Sequence, residues 1–342
     1  MSIEQLIRPN IRKLKPYSSA RDEYEGKASV FLDANENPFN TSYNRYPDPL
    51  QKELKGQIAL LKDVKANQIF LGNGSDEAID LLIRAFCEPG IDQVLIPQPT
   101  YGMYQVSADI NNVNVIEVPL SKAFDVETDV ILKAITDKTK LIFLCSPNNP
   151  TGNIFSTDKI IALLKNFNGL VIVDEAYIDF AESPSFITQL LNFENLVILQ
   201  TFSKAWGLAG LRLGMCFANS QIIAVLNKIK PPYNINTVTQ SIVLEQFQNH
   251  SHIQKNKAEI VNQRQLLFRE LAGLKIVAHV FPSNANFLLV KFNDSREVYS
   301  TLLQKGIVVR DRSNVILCDG CLRITLGTPS ENKILLTELN KL

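Results

Sequence analysis

Leu170-Val171-Ile172-Val173-Asp174 is a short apolar run that ends in a carboxylate. Similar runs precede and follow it, and most of them are continuous rather than alternating with polar residues. Continuous apolar runs of this length are typical of strands that are buried on both faces of a mostly parallel sheet. We therefore predict that Leu170–Asp174 is a central strand of such a sheet.

The neighbouring runs predict the rest of this sheet. Six further candidate strands are residues 68–71, 93–97, 114–118, 140–145, 196–200 and 212–218. Helical windows lie between them, for example residues 76–86, which end at Pro89-Gly90, and residues 157–166, which end near Gly169. Strands that alternate with helices in this way predict an α/β, doubly wound domain with a mostly parallel seven-stranded sheet.

The pattern changes after residue 235 and predicts a second, smaller α+β domain. A long helix is predicted over residues 238–271, with Gly273 as its C-cap. It is followed by candidate strands at residues 287–292, 307–310 and 321–326, and by a helix at residues 296–305. We expect an N-terminal arm at 1–44 that packs on the small domain and on a partner subunit, a large domain at 45–235 and a small domain at 236–342.

The charge balance excludes some classes of function. The chain of 342 residues has 35 Lys and Arg and 35 Asp and Glu, so its formal net charge is zero. A zero balance argues against a broad surface for nucleic acid or for an anionic membrane. No apolar run approaches the roughly 18 residues of a membrane span, and residues 1–14 lack the apolar core of a signal peptide. We therefore expect a cytoplasmic protein.

The cysteine and histidine residues give no metal-binding pattern. Five cysteines is an odd number, and most lie in apolar runs, so we predict reduced, buried thiols. Cys318-Asp319-Gly320-Cys321 could be a redox pair or half of a zinc site, but no second pair or suitably spaced histidine accompanies it. A simple turn is the favoured interpretation, and we expect no metal site.

A glycine-rich turn stands between a predicted strand and a predicted helix. In Gly72-Asn73-Gly74-Ser75-Asp76-Glu77 the glycines allow a ligand to approach the backbone closely, and the N–H groups at the helix start can bind an anion. The same residue types are also common at the start of a helix, where Ser or Asp serves as the N-cap. On its own, this turn leaves a phosphate site and a simple helix start as alternatives.

Functional side chains follow several predicted strands directly. The set comprises an amide, a carboxylate, a phenol, an amine and a guanidinium: Asn149, Asp174, Tyr177, Lys204 and Arg212. The carboxyl ends of parallel strands share one edge of a sheet, and that edge is where ligands bind. A buried carboxylate needs a positive partner. Pyridoxal phosphate requires this combination: an amine for its aldehyde, a carboxylate for its ring nitrogen, donors for its ring hydroxyl and a cationic cradle for its phosphate.

These motifs make the chain resemble, over essentially its whole length, the fold-type I pyridoxal-phosphate-dependent aminotransferases. Aspartate aminotransferase is the representative member of this fold type. The motifs that indicate this class are Ser146–Gly152, Asp174-Glu175-Ala176-Tyr177 and Ser203-Lys204. The resemblance is closest to the histidinol-phosphate aminotransferase family. The motifs that point to this narrower family are Asn35-Glu36-Asn37-Pro38, Asn44-Arg45-Tyr46-Pro47, Val309-Arg310-Asp311 and Leu322-Arg323.

The resemblance implies a role for each matching residue near the cofactor. Lys204 would hold the cofactor as a Schiff base and then carry the proton, while Asp174 would pair with the pyridinium nitrogen. Tyr177 and Asn149 would bind the ring hydroxyl oxygen, and Tyr101 would stack on the ring. The residues implied for the phosphate are Ser75, Asp76, Thr201, Ser203 and Arg212, with Tyr46 from the partner subunit.

Further implications concern the substrate and the assembly. Tyr46 reaching across to a partner implies a homodimer with shared active sites. Tyr17, Asn35, Arg310 and Arg323 would line the substrate pocket. Trp206 is a departure, because relatives often have a smaller aromatic residue after the Ser-Lys motif. It adds bulk near Lys204 and leaves the chemistry in place.

The implied reaction is ping-pong transamination between L-histidinol phosphate and 2-oxoglutarate in histidine biosynthesis. It would give imidazole-acetol phosphate and L-glutamate. Both substrates are anionic, and arginine forks suit phosphate and carboxylate alike. Two alternatives remain open: a broad-specificity aromatic aminotransferase, and a decarboxylase of the same fold that acts on a phosphorylated amino acid. A cofactor-sensing DNA-binding regulator is disfavoured because the chain begins at its own arm and carries no net positive charge.

Overall fold

The computed structural model describes residues 2–17 and 29–342. Part of the predicted N-terminal arm, at 18–28, lies outside the described residues. The boundaries predicted for the arm and the two domains stay a prediction. Two sheets organise the described part of the chain, one with seven strands and one with four.

The larger sheet has the strand order β1-β7-β6-β5-β4-β2-β3. Its strands are β1 Ile69–Asn73, β2 Gln93–Gln98, β3 Asn114–Pro119, β4 Thr139–Cys145, β5 Leu170–Asp174, β6 Leu196–Thr201 and β7 Leu213–Ala218. Strands β2 to β6 pair in parallel, and only β7 runs antiparallel to its two neighbours, β1 and β6. The predicted α/β fold with a mostly parallel seven-stranded sheet is therefore confirmed.

Strand β5 shows why continuous apolar runs mark this sheet. Val171 and Val173 belong to one apolar cluster, whereas Leu170 and Ile172 belong to another. Successive side chains of a strand point to opposite faces, so both faces of β5 are covered by packed apolar layers. Burying one such side chain contributes roughly 1.5–3 kcal/mol, which makes β5 a stable base for the residues that follow it.

Helices cover both faces of this sheet. The helices in the described residues are α1 Ile3–Leu6, α2 Pro9–Lys13, α3 Lys52–Lys62, α4 Ser75–Phe86, α5 Met103–Ile110, α6 Thr128–Ala134, α7 Thr157–Asn166, α8 Ser220–Ile229, α9 Thr237–Gln248, α10 His250–Ala272, α11 Ser295–Gln304 and α12 Pro329–Leu339. Helices α4, α5 and α8 contribute buried residues to one apolar cluster, and α3, α6 and α7 contribute to the other. No helix in this described part combines the length and apolar character that a membrane crossing requires.

The smaller sheet is antiparallel, with the order β10-β11-β9-β8. Its strands are β8 Val277–Val280, β9 Phe287–Phe292, β10 Arg310–Asp311 and β11 Cys321–Thr325. Leu288, Val290 and Leu322 pack against helices on one side in a third apolar cluster. The other side of the sheet contributes Phe287 and Leu289 to a cluster shared with the large sheet.

Two elements of the smaller domain differ from the sequence prediction. The single helix predicted over 238–271 was wrong, because α9 ends at Gln248 and α10 begins at His250. Asn249 between them has a non-helical φ of −97° and ψ of 17°. Apolar spacing continues through this polar stretch and so hides the interruption. The strand predicted at 307–310 is shorter and begins later, because strand pairing starts only at Arg310. Before it, Gly306 is left-handed with φ 74°, and the Ile307 N–H donates a hydrogen bond to the Leu302 carbonyl at the end of the preceding helix.

The Cys318–Cys321 segment is a hydrogen-bonded turn, with the Cys321 N–H donating to the Cys318 carbonyl at 2.9 Å. Gly320 in this turn is left-handed, with φ 69°. Both thiols are free and buried, as are those of the other three cysteines. The turn interpretation of this motif is therefore confirmed.

Candidate active site

A cleft opens at the carboxyl ends of strands β4, β5 and β6. Its cavity volume is about 120 Å³, and it is lined by Gly74, Ser75, Asp76, Tyr101, Cys145, Asn149, Asp174, Ala176, Tyr177, Thr201, Ser203, Lys204, Ala209 and Arg212. Parallel pairing places Cys145 of β4 opposite Asp174 of β5, so that chemistry-bearing residues from separate motifs meet. Most of the residues predicted near the cofactor thus line one cavity, although their roles stay a prediction.

Asp174 is a buried carboxylate at the floor of the cleft. Its Oδ2 accepts a hydrogen bond from the Tyr104 hydroxyl at 2.7 Å, and its Oδ1 accepts one from the Ala176 N–H at 3.0 Å. Burial raises the pKa of Asp174 to about 6, although both hydrogen bonds and the nearby Lys204 oppose this shift. In the described residues no cation is paired with Asp174, so a cationic ligand group would stabilise its charged form.

Tyr104 is a site residue that the sequence did not reveal. It lies on α5, is fully buried, and stacks on Phe143 with ring centroids 5.0 Å apart. From the sequence, Tyr104 is one aromatic residue in a helix that packs on the sheet. Aromatic residues at such positions are commonly part of the hydrophobic core, so nothing distinguishes this one. Only the fold shows that its hydroxyl reaches Asp174.

Lys204 follows β6 and lies mostly buried in the cleft. Its Nζ is 5.7 Å from the centroid of the Tyr177 ring. Burial lowers the pKa of Lys204, and the neighbouring charges of Arg323 and Arg212 lower it further. A lowered pKa increases the fraction of neutral amine at a given pH, and the neutral amine is the form that attacks an aldehyde.

An anion cradle lies where β1 turns into α4. Gly74 is the N-cap of this helix and is left-handed, with φ 72°, so a larger residue there would be strained. A helix leaves its first N–H groups without internal acceptors, and Ser75 and Asp76, the first two residues of α4, line the cleft. Across from them, Nη2 of Arg212 lies 3.5 Å from Oδ2 of Asp76. The N–H groups and the guanidinium together can bind a phosphate.

Gly214 allows this cradle to close. A Cβ built on Gly214 would lie 2.1 Å from the Ser75 nitrogen, so strand β7 can approach the helix start only because this residue has no side chain. The Gly74 N–H also donates to the Arg212 carbonyl at 2.7 Å, which ties the two segments together. This role of Gly214 could not be predicted from the sequence, because one glycine in an apolar strand has many explanations.

Two hydroxyls complete the polar rim of the cradle. Thr201 Oγ1 accepts a hydrogen bond from the Ser203 N–H at 3.0 Å and donates to Ser203 Oγ, also at 3.0 Å. Thr201 ends β6, and Ser203 immediately precedes Lys204. These contacts fix the turn that carries the lysine.

Tyr101 closes another side of the cleft. Its hydroxyl donates to Oδ1 of Asp76 at 3.1 Å, and its ring meets the Tyr104 ring edge-on, with centroids 5.5 Å apart. Burial and the adjacent Asp76 carboxylate raise the pKa of Tyr101, so its hydroxyl stays protonated and keeps donating. The side chain therefore has a fixed position in the cleft.

Asn149 and Tyr177 form a polar edge that Arg323 completes. Nη1 of Arg323 donates to Oδ1 of Asn149 at 2.5 Å. This bond occupies the amide oxygen of Asn149, so its NH₂ group remains as a donor beside the cleft. The nitrogen of that group lies 3.5 Å from the Tyr177 hydroxyl oxygen. The guanidinium of Arg323 also lies 5.3 Å from the centroid of the Phe287 ring. Sequence reasoning placed Arg323 near the substrate but did not foresee this link to Asn149.

Other predicted site residues lie outside the cleft lining. Tyr17, Asn35, Tyr46 and Arg310 are all exposed in this chain. The Tyr46 ring stacks on Tyr233 with centroids 4.4 Å apart, and its N–H donates to Oε1 of Glu36 at 2.6 Å. These contacts hold Tyr46 at the surface, a position from which it cannot line the cleft of its own chain.

The donor set of the cleft fits pyridoxal phosphate. The floor has an unpaired buried carboxylate, the side has an amine of lowered pKa, and the far end has helix N–H groups with an arginine. These three features match a ring nitrogen, an aldehyde and a phosphate, in that order. Among the described residues no cluster of three or more metal-ligating side chains is present.

Comparisons with known proteins agree with this geometry. A family model described as aminotransferase class I and II matches residues 27–339. A histidinol-phosphate aminotransferase of Cytophaga hutchinsonii is 55% identical over 342 residues, covering 99% of this chain and 98% of that protein. One from Parabacteroides distasonis is 54% identical over 340 residues, covering 99% of both. A solved histidinol-phosphate aminotransferase structure from Clostridium acetobutylicum has a TM-score of 0.81 at 28% identity, covering 88% of this chain and 91% of that one.

Proposed function

Because the chain belongs to the class I and II aminotransferases, and within them to the histidinol-phosphate aminotransferase family, we propose that it transfers the amino group of L-histidinol phosphate to 2-oxoglutarate. The products are imidazole-acetol phosphate and L-glutamate, a step of histidine biosynthesis. The chain is a pyridoxal-phosphate-dependent enzyme. The residue roles, the second substrate and the assembly described below belong to the proposal.

One observation carries this proposal: the hydrogen bond of 2.5 Å from Arg323 to Asn149. Arg323 belongs to strand β11 of the small sheet, whereas Asn149 lines the cleft on the large sheet. The bond places a guanidinium, which binds phosphate and carboxylate, at the edge of the cofactor cleft. An anionic substrate held there has its amino group within reach of the cleft.

When bound, pyridoxal phosphate supplies an aldehyde that takes up amines and a protonated ring that accepts the electrons of the broken C–H bond. Lys204 would provide the amine that holds the cofactor through this aldehyde. With substrate bound, Nζ of Lys204 would take the proton from the carbon that bears the amino group. Its lowered pKa keeps part of the amine neutral and able to accept that proton.

Asp174 holds a proton on the ring nitrogen. Its carboxylate is fixed by Tyr104 and the Ala176 N–H, so it needs little reorganisation to face a cation. Asn149 and Tyr177 would direct donors at the ring hydroxyl, and the first turn of α4 with Arg212 would anchor the phosphate. Together these residues would hold the ring while Lys204 moves the proton.

The second substrate uses the same arginines in turn. L-Histidinol phosphate carries a phosphate and 2-oxoglutarate carries two carboxylates, so one cationic face can receive each of them after the other has left. This alternation is what a ping-pong reaction requires. Arg310, directly opposite Arg323 in the small sheet, is the second arginine that we assign to this face.

We also propose a homodimer with shared active sites. The described arm exposes large apolar side chains, with Leu32 88%, Phe39 77% and Tyr43 68% exposed. Contiguous exposed apolar residues mark interaction surfaces. Tyr46 follows this arm directly in the sequence, and in a dimer it reaches the phosphate of the partner's cofactor. A cytoplasmic location, expected from the sequence, also belongs to this proposal.

Steady-state kinetics test the substrate assignment. We expect kcat/KM for L-histidinol phosphate, with 2-oxoglutarate as acceptor, to exceed the values for phenylalanine and aspartate by at least tenfold. A higher value for phenylalanine would favour a broad aromatic aminotransferase. Release of carbon dioxide without consumption of 2-oxoglutarate would favour a decarboxylase and contradict the proposal.

A further inference from the structure

We propose that Arg312 is a third arginine of the substrate's anion site, beside Arg310 and Arg323, and that it selects substrates whose anion is a phosphate dianion. This inference deepens the proposed function and rests on it. The resemblance implies substrate contacts for Arg310 and Arg323, and Arg312 joins them because of its position and surroundings.

Strand register places the three arginines on one face of the small sheet. Arg310 lies directly opposite Arg323, and the Arg312 N–H donates to the Cys321 carbonyl at 3.0 Å, which continues the same pairing. Side chains two apart on a strand share a face, and so do side chains directly opposite each other. Arg310, Arg312 and Arg323 therefore project from the same side.

This side of the sheet faces the large domain and its cleft. Cys321 shares the face and belongs to the apolar cluster that also contains Tyr177 and Val173 of the large domain. Arg323 bridges to Asn149, which lines the cleft. Tyr177 is also close enough to influence the pKa of Arg312 electrostatically.

Among the described residues, Arg312 forms no salt bridge with an acid. Its nearest carboxylate in sequence, Asp311, uses Oδ1 to accept from the Ser313 N–H at 2.8 Å and the Ser313 hydroxyl at 2.6 Å. Within residues 2–17 and 29–342, the buried Nε of Arg312 has no hydrogen-bond partner, and neither does the buried Nε of Arg323. Burial, followed by the charges of Arg323 and Arg310, lowers the pKa of Arg312.

This arrangement is unfavourable unless an anion joins it. Buried donors without partners cost free energy, and like charges placed close together add to that cost. An anion that receives hydrogen bonds from the cluster removes both penalties. The cluster is therefore built for a ligand rather than for the stability of the chain.

The number of arginines favours a phosphate over a carboxylate. A carboxylate has two oxygens, and one guanidinium fork satisfies them. A phosphate monoester presents three terminal oxygens with nearly two negative charges, and it can accept hydrogen bonds from several guanidinium groups at once. Arg312 should therefore contribute more to binding histidinol phosphate than to binding the unphosphorylated amine.

The test compares Arg312→Gln with Arg296→Gln in the cofactor-loaded enzyme. Arg296 is exposed on α11 of the same domain, its side chain makes no ion pair among the described residues, and its substitution removes the same charge. For Arg312→Gln we expect kcat/KM for histidinol phosphate to fall about tenfold to a hundredfold, mainly through KM, because a hydrogen bond to a charged group is lost. We expect kcat/KM for histidinol to change less than threefold.

Inorganic phosphate supplies a readout that does not depend on the amine substrate. As a competitive inhibitor, it should bind Arg312→Gln about tenfold or more weakly and Arg296→Gln as it binds the wild type. Arg312→Lys, which keeps the charge but loses the fork, should give an intermediate value. Thermal unfolding of each variant shows whether the fold is retained.

Equal losses with histidinol and histidinol phosphate, or unchanged inhibition by inorganic phosphate, would show that Arg312 has only a structural role and would overturn the inference. Failure of the proposed function is a separate result, because it appears in the wild type as an absence of turnover with histidinol phosphate. In that case the phosphate inhibition constants, measured with whichever amine the wild type accepts, still decide the role of Arg312.

Discussion

The floor of the cleft differs from the face of the small sheet that carries Arg310, Arg312 and Arg323, which we call the arginine face. The two regions differ in how the hydrogen-bonding groups of their charged side chains are satisfied. On the floor, Asp174 is fixed by two hydrogen bonds, from Tyr104 and from the Ala176 N–H. On the arginine face, Arg312 and Arg323 each keep a buried Nε without a partner among the described residues. We therefore propose that the floor is preorganised for a permanent cofactor, whereas the arginine face gains its partners from substrates that bind and leave in turn.

Lys204→Ala should have the largest effect of any single change to the floor. It removes the amine that we propose attaches the cofactor and moves the proton, so turnover should fall by about 10⁴-fold or more. Steady-state assays with histidinol phosphate measure this loss. Lys255→Ala, which changes an exposed lysine of α10, should retain wild-type activity. Substantial turnover in the Lys204 variant would show that another group carries the proton.

Asp174→Asn should reduce kcat by about 10²- to 10³-fold while preserving the shape of the floor. The amide cannot keep the ring nitrogen protonated, and it removes the charge that matches the ring. Single-turnover rates with histidinol phosphate check this, together with the dissociation constant of the cofactor. A rate within threefold of wild type would mean that the floor works by shape alone.

Tyr104→Phe should have a smaller effect that depends on pH. The Tyr104 hydrogen bond opposes the raised pKa of Asp174, so its loss should raise that pKa further above about 6. We expect the cofactor-free protein to bind pyridoxal phosphate about tenfold more weakly near pH 6, where more Asp174 becomes protonated, and to lose less affinity at pH 8. A loss that is equal at every pH would indicate a packing defect. Tyr299→Phe, in the small domain, is the control for loss of a hydroxyl.

Glu175→Gln should alter stability more than catalysis. Burial raises the pKa of Glu175 from its ordinary 4.5 to about 7, although hydrogen bonds from Ser185, Phe186 and Gln200 oppose the shift. A raised pKa means that the folded state favours the protonated acid. This contribution is fully present below pH 4.5 and is lost as the pH rises through 7, and it amounts to at most about 3 kcal/mol.

Urea denaturation of the cofactor-free protein at several pH values measures this effect. Glutamine cannot ionise, so the stability of wild type relative to Glu175→Gln should fall between pH 5 and pH 8. Asp174 titrates in both proteins and cancels in the difference. A difference that does not vary with pH would show that Glu175 stays charged or stays protonated throughout this range.

Much of the large domain was predictable, because its strands are continuous apolar runs and its functional residues follow strands directly. Asp174 and Lys204 could be placed at one sheet edge from their positions after β5 and β6 alone. The contacts between distant segments could not be predicted in this way. Tyr104 reaches Asp174 across 70 residues and Arg323 reaches Asn149 across 174, and no local pattern encodes either pairing.

Arg312 was missed for a related reason. In the sequence, Arg310-Asp311-Arg312 resembles an exposed charged segment in which the aspartate neutralises its neighbours. The structure turns Asp311 toward Ser313 and leaves the arginines together. The break between α9 and α10 at Asn249 is also invisible to helical periodicity, since apolar spacing continues on both sides.

Addition of L-histidinol phosphate to the cofactor-loaded protein, without any oxo acid, tests the proposed transamination most directly. The visible absorption of the cofactor's bound aldehyde form should be replaced, one equivalent per active site, by the absorption of its amine form. Addition of 2-oxoglutarate should then restore the original spectrum. An unchanged spectrum, or release of carbon dioxide during the titration, would contradict the proposal that this chain transfers the amino group of histidinol phosphate.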